Sequence, residues 1–130
     1  MGRWKALIVD DSATFRQVFV KALSKIPELT CIQAADGAEG IRCLVIDHVD
    51  LIITDLQMPV MNGFAFISYL RHREDTRHVP IVVVTSAGTE SDQQKLEAAG
   101  IRAFLRKPVA PDCIVACAIA LIPQSTGPLP

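Results

Sequence analysis

No apolar run in this chain approaches the length of a membrane span. The longest, Cys113 to Ile122, is about half of the ~20 residues a helix needs to cross a bilayer. An excess of charge of either sign is missing too. The formal net charge is −1, which gives no general pull toward nucleic acid or an anionic membrane. Nor is there a disulfide framework. Cys31, Cys43, Cys113 and Cys117 are scattered among apolar neighbours, whereas a small secreted scaffold sets its cysteines densely in loops. They read as reduced packing residues, and Cys113 with Cys117 supplies at most half a metal site. His48, His72 and His78 show no ligand spacing. No secretory leader is legible, because the first apolar stretch runs into Asp10-Asp11 where a cleavage site would stand. These absences together predict a cytoplasmic protein with no direct nucleic-acid or membrane contact.

What is present is a sizeable apolar fraction, 50% of 130 residues, enough for the core of one domain. Short apolar runs alternate with helical patterns five times. Ala6 to Val9, Leu29 to Ala35, Leu51 to Thr54, Ile81 to Val84 and Ala103 to Leu105 read as buried strands. Between them, Phe15, Val18, Phe19, Ala22, Leu23 and Ile26 recur at helical spacing, as do Ala38, Ile41, Leu44 and Val45 and then Phe66, Ile67 and Leu70. Ser12 is placed to cap the first helix. Thr89 with Asp92 resembles a capping box, and Pro111 suits the first turn of the last helix. Strand and helix in strict alternation predict an α/β fold, a parallel sheet with helices on both faces. One domain over residues 1–122 is expected, then a flexible proline-rich tail over 123–130.

An open parallel sheet binds ligands beyond the carboxyl ends of its strands. Asp10 and Asp11 stand at the end of the first strand, Asp55 at the third, Thr85 and Ser86 at the fourth, and Lys107 two residues past the fifth. If the strands are neighbours, three carboxylates, a hydroxyl and an ammonium share one rim. Carboxylates that close repel unless protonated or bridged by a cation. Oxygen donors in a negative field suit Mg²⁺ or Mn²⁺ working with a phosphate. Asp55 is then a nucleophile that forms an aspartyl phosphate, with Lys107 as a point charge on the phosphoryl group and Thr85 as a hydrogen-bond donor to it. Singly, each residue has a plainer reading: a turn or cap aspartate, a loop hydroxyl, a solvated lysine. Their joint occurrence at successive strand ends is what argues for chemistry.

Val9-Asp10-Asp11-Ser12, the segment Leu51 to Pro59 around Asp55 with Asn62-Gly63, Val84-Thr85-Ser86 and Arg106-Lys107-Pro108 make the chain similar to response-regulator receiver domains of the CheY-like superfamily, from about Lys5 to Ile122. The resemblance implies a flavodoxin-like (βα)5 fold, doubly wound, with strand order 2-1-3-4-5. It implies that Asp55 is the phosphoacceptor and that Asp11, Asp55 and the main-chain carbonyl of Gln57 bind the metal, with Asp10 holding it through water. Lys107 would contact the acyl phosphate, before a cis bond to Pro108. Thr85 and Phe104 match a switch pair that repacks the face of the fourth helix, fifth strand and fifth helix. A sensor histidine kinase or phosphotransfer protein would donate the phosphoryl group. A downstream protein, or a second copy, would read the changed face.

Departures from the family pattern matter too. Ala87 has no polar group to orient water, where quickly dephosphorylating members often carry an acid or amide; with Gln57 near the phosphoryl group, slow self-dephosphorylation is expected. Val109 replaces an aromatic often found after Lys-Pro. Cys113 to Ile122 leaves no polar stripe on the last helix, which reads either as an interaction face for a partner or a second copy or as a plain outer face of small alanines and cysteines. A haloacid-dehalogenase-type phosphohydrolase would want a second acid where Gln57 stands. A nucleotide or flavin binder would want a glycine-rich loop after the first strand, and Asp10 to Thr14 has none. An interaction domain that keeps the pocket without phosphate control is the remaining alternative. The chain is not expected to be an enzyme acting on an external substrate.

Overall fold

The computed structural model describes residues 3–126 apart from Ala87 and Arg102, with side chains described through Ile122. Strands and helices alternate: β1 (Trp4–Val9), α1 (Ala13–Leu23), β2 (Leu29–Ala34), α2 (Gly37–Ile46), β3 (Leu51–Thr54), α3 (Gly63–Arg71), β4 (Ile81–Thr85), α4 (Glu90–Ala98), β5 (Ala103–Arg106) and α5 (Pro111–Thr126). The strands form one parallel sheet in the order β2-β1-β3-β4-β5. The fold is therefore the doubly wound α/β arrangement expected from the alternation.

The period-two geometry of a strand sends successive side chains to opposite faces, and two apolar layers result. Leu7, Val9, Ile52 and Val83 enter one with Phe66 and Leu70 of α3. Ala6, Ile8, Leu51, Ile53, Val82 and Val84 enter the other with Phe19 and Leu23 of α1 and Ile114, Ala118 and Ile122 of α5. Each fully buried aliphatic side chain contributes about 1.5–3 kcal/mol, so the central strands carry much of the stability.

Helix starts are fixed by side chains that accept from otherwise unpaired N–H groups. Ser12 Oγ accepts from Phe15 at 3.3 Å. Thr89 and Asp92 form the reciprocal capping box. Asp36 and Asn62, legible only as turn residues, cap α2 and α3 through Glu39 and Ala65. Two residues assigned to core faces lie outside: Val18 is 38% and Val45 73% exposed, since each sits off the arc that meets the sheet. The last helix continues past the boundary expected at Pro123 to Thr126; proline forfeits one N–H of the ladder, and the helix runs on for a turn without it. Residues 127–130 of the expected tail lie outside the described residues. α5 turns Ile114, Ala118 and Ile122 inward and leaves Cys113, Ala116, Ile119 and Ala120 exposed. No helix among the described residues is long and apolar enough to cross a membrane.

Candidate functional site

Asp10, Asp55 and Lys107 each occupy the position after a strand end, and the ladder extends to hold them there. The Asp10 N–H donates to the Ala34 carbonyl at 3.1 Å, that of Asp55 to Val9 at 3.1 Å and that of Lys107 to Thr85 at 3.0 Å. Register alone thus delivers two carboxylates and an ammonium to one rim. Asp10 and Asp55 are 1% and 6% exposed; Asp11 is exposed. Carboxylate oxygens of all three lie within 4.8 Å of one another.

Lys107 Nζ donates to Asp10 Oδ2 at 2.6 Å and to Asp55 Oδ2 at 2.9 Å. The second oxygen of each acid is held by main chain: Asp55 Oδ1 accepts from Leu56 at 2.6 Å and Gln57 at 3.2 Å, and Asp10 Oδ1 accepts from Ser12 at 2.9 Å. Burial raises the Asp10 carboxyl above the ordinary aspartate value, while Lys107 and the Ser12 N–H oppose the rise. Burial also works against the Lys107 charge, but the two acids outweigh it and hold the ammonium above its usual range. One cation facing three carboxylates leaves net negative charge in a largely buried site. A hard divalent cation with oxygen ligands suits that deficit.

Thr85 ends β4 and is fully buried. Phe104, on the neighbouring strand, pairs with Val83 in register and packs against the α3-side core. Gln57 is exposed and lines an open cleft of about 620 Å³ with Asp11, Met58, Asn62 and Asp92. The Lys107–Pro108 bond is cis. Ala87 lies outside the described residues.

Several residues act here that the sequence pattern did not single out. Arg16 Nη1 donates to the Asp10 carbonyl at 2.6 Å and its Nε to Gln33 Oε1 at 3.2 Å, bracing the first acidic turn. Phe15, legible only as a helix-core residue, lies against Lys107. Gly63 packs onto the Asp55 main chain so closely that a β-carbon there would overlap the Asp55 carbonyl oxygen and Leu56 Cα. The Asn62-Gly63 pair was the available signal, though it spoke of a turn and not of a contact.

A family model described as the response regulator receiver domain matches residues 6–118. The sensor histidine kinase CheAY of Helicobacter pylori is 33% identical over 104 residues, 78% of this chain but 13% of that protein, so the chain spans only a small part of that relative. The chemotaxis protein CheY4 of Vibrio cholerae superposes with a TM-score of 0.83 at 30% identity, covering 91% of this chain and 98% of that one. The receiver domain of sensor histidine kinase PA1611 from Pseudomonas aeruginosa, which has a magnesium ion coordinated in its active-site cleft, shares the fold with a TM-score of 0.82 at 24% identity, over 94% of this chain and 98% of that one.

Proposed function

The chain belongs to the response regulator receiver domain family of two-component signalling, and on that premise we propose that it accepts a phosphoryl group on Asp55 from a phosphohistidine of a sensor kinase or phosphotransfer protein. An Asp55 carboxylate oxygen attacks phosphorus, the P–N bond breaks, and the electron pair leaves with the imidazole; an acyl phosphate is the product. The arrangement that carries this reading is Lys107 Nζ between Asp10 Oδ2 and Asp55 Oδ2, with Asp11 beside them. Lys107 is then in place to turn from carboxylates to phosphoryl oxygen. Thr85 donates a hydrogen bond to the same group.

Asp10, Asp11 and Asp55, with the Gln57 carbonyl, are the groups to hold Mg²⁺ or Mn²⁺. When bound, the cation neutralises charge on the transferring phosphoryl group. Support comes from the donor set, all oxygen, and from the uncompensated charge. Thr85 and Phe104 form the switch, biasing a two-state equilibrium in the face of α4, β5 and α5. That face, with Ile119 57% exposed, is the surface for a downstream protein or a second copy. The domain turns over no external substrate, and with no polar side chain two positions past Thr85 and Gln57 two past Asp55 it loses its own phosphate slowly. A half-life of seconds would overturn that last point.

Intact mass after incubation with acetyl phosphate and Mg²⁺ tests the reading. A single gain of ~80 Da (one HPO₃ on a carboxylate) is expected, abolished by EDTA and by Asp55→Asn. A gain that persists in Asp55→Asn would move the acceptor elsewhere. No gain from either acetyl phosphate or a phosphohistidine donor would favour a phosphate-independent interaction domain.

A further inference from the structure

Lys107 Nζ stands 4.1 Å from the centroid of the Phe15 ring. Phe15 is set in turn against Phe19, with centroids 6.4 Å apart and planes inclined by 30°, and it belongs to the apolar layer shared with α5. An ammonium carries three N–H donors. Asp10 Oδ2 and Asp55 Oδ2 engage Nζ from the charged side, and the phenyl ring is a third, uncharged neighbour. The two anions attract the charge but leave the four-carbon stem free to choose its path. A ring face offers both an apolar surface for the stem and negative potential for the charge.

We propose that Phe15 is a positioning residue that holds the Lys107 ammonium between Asp10 and Asp55 through the face of its ring. The inference rests on the reading of Asp55 and Lys107 as a phosphoryl-accepting pair. A free lysine side chain must lose rotamer freedom when it is ordered. One already lodged on a fixed ring is ordered before the phosphoryl group arrives, which is where catalysis by orientation gains. An aliphatic residue at position 15 would still pack on Phe19 but would give the charge nothing.

The test replaces Phe15 with its mono-, di- and trifluorinated analogues, which drain negative potential from the ring face at nearly constant shape. Labelling by acetyl phosphate with Mg²⁺ is expected to slow in step with fluorine count, by about three- to tenfold across the series. Phe15→Tyr is expected to stay within about twofold of the unaltered rate, since its ring face is equally attractive. In the metal-free protein, the Lys107 ε-methylene protons should be shifted upfield by the ring, and the shift should vanish in Phe15→Leu. A rate independent of fluorination, or the absence of an upfield shift, would overturn the proposal. Should the unaltered protein gain no mass from either acetyl phosphate or a phosphohistidine donor, the phosphoacceptor reading falls by itself. Favourable coupling between Phe15→Leu and Lys107→Met in urea unfolding would then still support the Phe15 seat, and zero coupling would overturn it.

Discussion

The ring of Phe104 fills the space in which a β-carbon on Gly88 would sit. The main chain at Gly88 therefore lies close against the aromatic, and Arg106 fastens it by donating from Nη2 to the Gly88 carbonyl at 2.7 Å. Gly88→Ala must displace one or the other. A loss of about 1–3 kcal/mol in urea unfolding is expected, with at least partial recovery when Phe104→Leu is added. Unchanged stability in the single variant would show that the ring gives way freely.

Val60 has φ of 69° and is 85% exposed. A β-branched residue in the left-handed region is strained, and here its side chain contributes almost no burial in return. Val60→Asn is expected to raise stability by about 1 kcal/mol. Chemical denaturation at neutral pH measures it, and a destabilised variant would place the strain elsewhere.

Gly63 touches the main chain of Asp55, the proposed acceptor, and its N–H donates to the Leu56 carbonyl at 2.9 Å. Gly63→Ala is expected to move Asp55 away from Lys107 and to cut acetyl phosphate labelling by about tenfold or more, since small misplacements of reacting groups are costly. Labelling at the unaltered rate in a folded Gly63→Ala protein would contradict the assigned contact.

Titration should reveal the charge arrangement in the metal-free protein. Lys107 holds its proton more tightly when folded, because Asp10 and Asp55 outweigh the burial that opposes the charge. Its contribution is complete below the ordinary value of 10.5 and is lost as pH rises past it. Asp10 shifts in the same sense but from a cost: burial lifts its carboxyl above 3.8, so the folded state takes up the proton first and the penalty of the buried charge is relieved as pH falls toward that value. Urea midpoints against pH should show an alkaline loss smaller in Lys107→Met, and an acid-side gain missing in Asp10→Asn. Parallel curves for all three proteins would refute both assignments.

Arg71 joins three segments at the opposite end of the sheet. Its Nε donates to the Ala99 carbonyl at 3.3 Å, and Nη1 to those of Arg77 at 3.1 Å and Val79 at 2.9 Å. Arg71→Met strips these carbonyls of their donor and is expected to cost about 1–3 kcal/mol. Arg71→Lys should restore only part, because an ammonium lacks the planar fork. Thermal unfolding of the three proteins ranks them.

The strands and the acidic rim were legible in the sequence because both follow from local patterning. β3 has the bounds its apolar run implied, and Asp10, Asp55 and Lys107 each follow a strand whose end was visible. Strand order came from the family likeness, since periodicity says nothing of which strands are neighbours. What stayed hidden depends on partners distant in the chain. Phe15 has the spacing of a core residue, and nothing local says that a lysine 92 positions on (107 − 15) will lie over its ring. Gly63 and Gly88 are glycines because backbone or ring approaches them, and that approach exists only in the folded sheet. Asp36 and Asn62 advertise turns and serve as caps, two uses of the same side-chain oxygen. The outer surface of α5 was foreseen as apolar; the continuation to Thr126 was not, because proline content suggested an earlier break.

Lys107 and Asp10 are 97 positions apart in the chain, and that separation sets an order of assembly. A polypeptide made from its amino end has Asp10, Asp11 and Asp55 long before it has the lysine. Until β5 docks on β4, the acidic rim stands without its counter-charge. Long-range closures of this kind form late. A chain cut before β5 thus displays an Asp55 that is electrostatically unfinished, and a rim balanced by Lys107 becomes a certificate that the last strand has docked.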